Sequence, residues 1–234
     1  MSAIAQTPVI TQSPPVRSRL AWLLESSVGL KLVMAATGVV LTLFVLGHMV
    51  GNLTAFKSPE AINEYAHTLR KIPALLWGAR IVLLGSVGLH IYTYLVLWWR
   101  SAKARPEGYR VADYQESTFA SRTMRWTGPI LAAFVIYHLL HLTTGTVHPN
   151  FIDGDVYHNL IVGLQVTWVA IFYMVGVVAL GFHLYHGVWS TFQTLGMSQP
   201  RYASLGRRFA TLYAILVGVG FVAIPAAILT GVLR

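Results

Sequence analysis

The sequence predicts an all-α integral membrane protein, a bundle of five transmembrane helices. Of its 234 residues 55% are hydrophobic and only 11% charged, against about 25% charged in a soluble domain, and the mean hydropathy is +0.59. The apolar residues gather into five runs, each close to the roughly 20 residues that a helix needs to cross a bilayer. Lysine and arginine are divided unevenly among the segments between the runs, as the positive-inside bias requires.

Residues 1–27 read as a cytoplasmic N-terminal tail carrying Arg17 and Arg19, with a short interfacial helix at Leu20–Glu25. The remainder, 28–234, reads as one transmembrane domain. The first span is expected from Val28 to Gly51. A polar segment with Lys57, Pro59 and Asn63-Glu64-Tyr65-Ala66-His67 follows and is expected to hold a short helix. Pro73 opens the second span, which ends in Trp98-Trp99-Arg100, an aromatic belt followed by charge. A basic loop over 100–125 leads to the third span, Trp126 to Val147. The fourth, Asn159 to Trp189, follows a short loop with Asp153 and Asp155 but no lysine or arginine. Arg201, Arg207 and Arg208 precede the fifth, Phe209 to Leu233.

Orientation follows from the charges. Arg17, Arg19, Lys31, Arg100, Lys103, Arg105, Arg110, Arg122, Arg125, Arg201, Arg207 and Arg208 fall on one side. Only Lys57, Arg70, Lys71, Arg80 and Arg234 fall on the other. The N-terminus is therefore expected in the cytoplasm and the C-terminus outside, in a multi-pass protein of the cytoplasmic (inner) membrane. The net charge of +9 is accounted for by these loops, so no nucleic-acid partner is expected. The first 20 residues lack an apolar run before a cleavage site, and no signal peptide is expected. The chain has no cysteine, which excludes a disulfide framework, a cysteine-held iron–sulfur cluster and covalent haem attachment within it.

Within the spans one stretch occurs twice. Residues 37–48 and 127–138 agree at six of twelve positions: Thr37/Thr127, Gly38/Gly128, Leu41/Leu131, Phe44/Phe134, Val45/Val135 and His48/His138. A second pair has the same flavour, Gly88-Leu89-His90-Ile91-Tyr92 and Gly181-Phe182-His183-Leu184-Tyr185. Four apolar segments thus carry one comparably placed histidine each, and an ionisable group inside a membrane is costly enough to mark a site. A lone intramembrane histidine is more often a helix–helix hydrogen-bonding group; four at matched depths in a duplicated frame are another matter.

Depth decides which can meet. Spans one and three run outward and carry His48 and His138 in their outer halves. Spans two and four run inward and carry His90 and His183 toward the cytoplasm. The expected pairs are His48 with His138 and His90 with His183, each drawn from parallel helices of a four-helix core. Two imidazoles fill both axial positions of a haem iron, which then carries electrons rather than binding oxygen. Two b haems, stacked across the bilayer, are the expected cofactors, with the four histidines as iron ligands. His141 and His186 follow proposed ligands by three residues, but the other copies have Gly51 and Thr93 there, which favours His138 and His183. His148 and His158 are expected to be solvated.

These residues resemble a known family, the dihaem cytochrome b membrane anchor of succinate:quinone oxidoreductases, of the single-subunit five-helix type. The resemblance covers nearly the whole chain. It rests on Ser27, Lys31, Met34-Ala35 and Thr37-Gly38 leading to His48 and Gly51-Asn52-Leu53; on Asn63, Ala66-His67 and Pro73; on Thr127-Gly128 and His138; and most specifically on His183, His186-Gly187, Trp189-Ser190 and Phe192-Gln193-Thr194-Leu195-Gly196. It implies that a flavoprotein subunit oxidises succinate and an iron–sulfur subunit passes the electrons to this anchor, which delivers them to a quinone. FAD and iron–sulfur clusters then belong to the partner subunits alone. The His90–His183 haem would be proximal to the iron–sulfur subunit, and the His48–His138 haem distal. Some fumarate-reducing members carry a glutamate two residues before the fourth-helix ligand; here Gly181 stands there, which favours succinate oxidation. Anchors of this type commonly serve menaquinone, which is expected ahead of ubiquinone. Lys31 and Arg80 are candidate propionate contacts, and Ser27, Asn63, Glu64 and His67 candidate quinone residues. Two alternatives stay open: a haem b anchor of another quinone-linked dehydrogenase, and a haem-free helical scaffold or transporter.

Overall fold

The computed structural model describes residues 19–104 and 119–234. Arg17 in the tail and Arg105 and Arg110 in the basic loop lie outside the described residues. Among the described residues eight α-helices follow one another: α1 (Arg19–Glu25), α2 (Ser27–Leu53), α3 (Pro59–Arg70), α4 (Pro73–Lys103), α5 (Phe119–Leu142), α6 (Val156–Gln165), α7 (Thr167–Thr194) and α8 (Pro200–Leu229), with a 3₁₀ turn, Thr54–Phe56, after α2. The local chemistry sets several of these ends. Ser26 caps α2 by accepting from the Gly29 N–H at 2.9 Å, and Ser58 caps α3 through Ala61 at 3.1 Å. Prolines open α3, α4 and α8, where a missing N–H costs nothing. Gly196, at φ +81°, stops α7 while the Met197 N–H turns back to the Phe192 carbonyl. The stretch from His183 to Gly196 therefore ends in a helix stop.

Four helices, α2, α4, α7 and α8, are long and apolar enough to cross a membrane. Their exteriors agree with that. Leu43, Ile81, Val175 and Leu212 are 65%, 67%, 55% and 68% exposed, a display of large apolar side chains that a soluble protein avoids. The third expected span corresponds to α5, which starts at Phe119 and ends at Leu142 rather than Val147. Arg122, Arg125, His138 and His141 make it the least apolar of the long helices.

The fourth expected span, Asn159 to Trp189, is not one helix. Val166 adopts an extended conformation, φ −71° and ψ 104°, and separates α6 from α7. Magnitudes explain the break. A few backbone hydrogen bonds at about 1 kcal/mol each are outweighed by burying Leu160, Ile161 and Leu164 of α6, at roughly 1.5–3 kcal/mol apiece. α7 alone, with 28 residues, still extends about 42 Å.

The helices form a row in the order α4, α2, α7, α5, with α8 packed against α7 and α2. One core cluster gathers α6, α7, α8 and the 3₁₀ turn around Leu164, Tyr173 and Ile228. Another joins α2, α7 and α8 through Met49, Leu184, Ala214 and Val217. Trp189 of α7 is buried where Gly206 of α8 leaves room for its ring, with Arg207 stacked 4.7 Å above it. Asn63 of α3 donates to Asp155 at 3.0 Å and accepts from the Tyr157 N–H at 2.9 Å, tying α3 to α6 across one end of the bundle.

Candidate functional site: two histidine pairs across unpacked helices

Each long helix of the row contributes one histidine. His48 lies late on α2 and His138 late on α5, toward the α3–α6 end; His90 and His183 lie just past the middle of α4 and α7. The rings of His48 and His138 stand 5.8 Å apart, nearly perpendicular at 83°. Those of His90 and His183 stand 6.2 Å apart at 55°. Neither pair joins helices that pack on each other: α2 packs on α4, α7 and α8, and α5 on α7 and α6. Each pair therefore reaches across an interhelical gap.

The surroundings of the pairs differ. His48 is stacked on Phe44 at 5.3 Å and 16°, and His138 on Phe134 at 5.9 Å and 26°. Both are contacts between residues four apart on a helix, the spacing that places side chains on one face. Phe221 and Tyr173 approach the same two rings at 5.9 Å. The Asn52 amide nitrogen donates to the His48 carbonyl at 2.7 Å and lies 3.4 Å from both His48 ring nitrogens. His90 is held from another helix. Its Nδ1 lies 3.2 Å from the Met34 carbonyl and 3.2 Å from the Thr37 hydroxyl, both on α2. A carbonyl only accepts, so Nδ1 carries the proton and Nε2 keeps its lone pair.

The spacing of both pairs suits a metal with its own planar ring. Two imidazoles bound to opposite sides of one such metal, each through a nitrogen at roughly 2 Å, hold their ring centroids on the order of 6 Å apart, close to both observed separations. Nδ1 of His138 and of His183, like Nε2 of His141, is buried without a hydrogen-bond partner, so an orphaned nitrogen alone does not distinguish the facing pairs from the third ring. Among the described residues no three His, Asp or Glu side chains gather around a common point. The residues thus fit a group that would take one donor from each of two facing side chains.

The remaining candidates fall into three places. Asn63, Glu64 and His67 line one cleft of about 400 Å³ with Pro59, Glu60 and Gly154. Asn63 is engaged at both ends of its amide, and Glu64 lies 3.5 Å from Lys71. Ser27 is exposed at the opposite end of the bundle, in the first turn of α2. Lys31 is exposed one turn further on. Arg80 is half-buried with its guanidinium 4.9 Å over the Trp77 ring. Ten residues along both helices from the Thr37–His90 contact, it is level with Gly47 and His48.

His148 and His158 depart from the expectation that they are solvated. His148 is half-buried, accepting from the Asn150 N–H at 3.0 Å and donating to the Asn159 carbonyl at 2.8 Å. It stacks 4.9 Å from His141, which is fully buried and hydrogen-bonded to the Tyr173 hydroxyl at 2.9 Å. Gly163 permits this, since a Cβ there would stand 2.6 Å from His141 and 2.8 Å from His148. His158 is likewise half-buried, against the Asn150 carbonyl at 3.1 Å. The loop is a folded cap and not a solvated connection.

Sequence reasoning quoted Met34 and Asn52 only among the residues of the resemblance, with no role given, and passed over Tyr173. Met34 had a signal: Met34 and Met124 stand three residues before Thr37 and Thr127, so the duplication begins earlier than residue 37. Tyr173 had none, because it meets His141 only through packing. Comparison of the chain with protein-family models, with curated proteins and with solved structures gives no match.

Proposed function

We propose that this chain is the dihaem cytochrome b membrane anchor of a succinate:quinone oxidoreductase, passing electrons between an iron–sulfur subunit and a membrane quinone. The single observation that supports this most is the pair of facing imidazoles at 5.8 and 6.2 Å, each across helices that do not pack. A haem b bound in each gap would supply a one-electron iron couple.

The chain's own residues then have definite tasks. His48 with His138, and His90 with His183, hold the two irons. Phe44 and Phe134 limit the swing of the first two rings and keep water from them. Met34 and Thr37 fix the proton on His90 Nδ1, which raises the basicity of the ligating nitrogen. Ten residues of α2 separate the level of His90, at Gly38, from His48. That is about 15 Å along the axis, so the pairs divide the bilayer thickness between them.

The reading includes α5 as a fifth span, Arg122 and Arg125 lying at the polar boundary, and a cytoplasmic N-terminus. The side rich in Lys31, Arg100, Arg201, Arg207 and Arg208 then offers its charge to the iron–sulfur subunit, with the flavoprotein beyond it. Arg80 is suited to a propionate of the His48–His138 haem and Lys31 to one of the His90–His183 haem. The cleft of Asn63, Glu64 and His67 is the better quinone candidate, because with Glu60 four polar residues line it, whereas Ser27 stands away from it. Menaquinone is the proposed acceptor.

The test is a dithionite-reduced minus oxidised spectrum of the protein purified from its native membrane, with haem counted per polypeptide and the co-purifying subunits identified. Two b haems with a covalent-flavin protein and an iron–sulfur protein are expected. A folded, detergent-stable preparation without haem would overturn the reading. A molybdenum or nickel partner would transfer it to another quinone-linked enzyme.

A further inference from the structure

The duplicated segment holds more than its terminal histidine. On α2 the Thr37 hydroxyl donates to the carbonyls of Val33 and Met34 at 2.9 and 3.1 Å, so its oxygen is left to accept from His90 Nδ1. The His90 ring packs over Gly38, where a Cβ would stand 3.5 Å from Cε1. Met, Thr and Gly recur with the same spacing at Met124, Thr127 and Gly128.

The register of α5 against α7 places this second set. Phe119 meets Phe182, Phe134 meets Phe172, and Tyr137 meets Trp168, so the two helices run antiparallel. The Phe134 ring fills the space over Gly176. Seven residues back from Phe134, two helical turns on the same face, is Thr127; seven residues on from Gly176 is His183. Thr127 is buried, its hydroxyl directed at Met124 Sδ at 3.8 Å. His183 Nδ1 is buried with no partner. Two buried polar groups at one level of a packed helix pair are each short of a good hydrogen bond, and a χ1 rotation of Thr127 between staggered wells is the change that would join them.

We infer that Thr37 and Thr127 are positioning residues for the histidines of the neighbouring antiparallel helices, Thr37 for His90 and Thr127 for His183. Each copy of the duplicated segment then serves both irons. The histidine at its far end ligates one, and the Thr-Gly at its near end orients a ligand of the other. The inference rests on the proposed dihaem reading and deepens it.

Redox titration with EPR of the purified complex tests it, using Thr37→Val, Thr127→Val and the serine variants at both positions. Valine keeps the shape and removes the hydroxyl. Losing an acceptor at Nδ1–H makes the ligating nitrogen less basic. Each valine variant should raise the midpoint potential of the haem that His90→Ala removes, and release that haem roughly 10-fold more readily. The other haem should be unchanged, and serine should restore the parent behaviour. A complex with both haems whose potentials do not respond to either valine variant, or whose His48–His138 haem responds instead, overturns the positioning role and leaves the dihaem reading intact. A parent protein without haem overturns both.

Discussion

His48 and His138 are each backed by a phenylalanine four residues earlier on the same helix, whereas His90 is held by Met34 and Thr37 of the helix beside it. The first kind of support is local, needing one helix and a spacing of four. The second exists only once α2 and α4 are packed in register. Two similar histidine pairs are thus held by different links between sequence and structure. The local one should tolerate changes in helix packing; the cross-helix one should be sensitive to them.

The largest expected effect breaks the sites themselves. Alanine at any one of the four histidines should remove one of two haems, and haem-to-polypeptide ratio by absorbance checks it. His48→Ala and His138→Ala should give one residual spectrum, and His90→Ala and His183→Ala the other. Loss of both haems from every single variant would mean the gaps are not independent.

A smaller effect concerns the cap beside the first pair. Gly163→Leu drives a side chain into the His141 and His148 rings and should cost about 1–3 kcal/mol, read as a lower unfolding temperature in detergent. Equal stability would show that α6 yields freely.

Smaller still is the loss of ring stacking. Phe44→Ala and Phe134→Ala should each weaken the His48–His138 site by about 0.5–1.5 kcal/mol, visible as faster loss of that haem alone. An equal effect on both haems would erase the distinction between local and cross-helix support.

The smallest is a pH effect. The His158 backbone N–H, with the Asn63 amide adding to it, holds the Asp155 carboxyl below the usual carboxylate range. A carboxyl depressed in the folded state contributes stability above its unfolded pKa and loses it as pH falls through the folded one. Asp155→Ala should therefore cost about 1 kcal/mol at neutral pH, as for other helix N-caps. That difference should vanish in acid. Parallel stability curves for parent and variant down to acid pH would contradict this.

The legibility of the molecule follows the same division. Helical class, four apolar helices long enough to cross a membrane and the short helices α1 and α3 could be read from runs, prolines and caps, because each is a property of contiguous residues. The break at Val166 could not, because it is decided by what α6 buries against α7 and α8. Among site residues, the four histidines and the two phenylalanines were visible as repeated letters. The facing of the rings at about 6 Å needed the whole row of helices. Thr37 was visible as a letter, but the ring it touches lies fifty-three residues away. His148 reads as a solvated loop residue from its polar neighbours, and it is the room left at Gly163 that lets it pack inside.

The central claim, that the irons sit between His48 and His138 and between His90 and His183, is tested most directly by haem content of two double variants. His48→Ala with His138→Ala should keep one haem per polypeptide, because both changes fall on one gap. His48→Ala with His90→Ala should keep none. A same-pair double variant that loses both haems, or a cross-pair variant that retains one, would contradict the pairing.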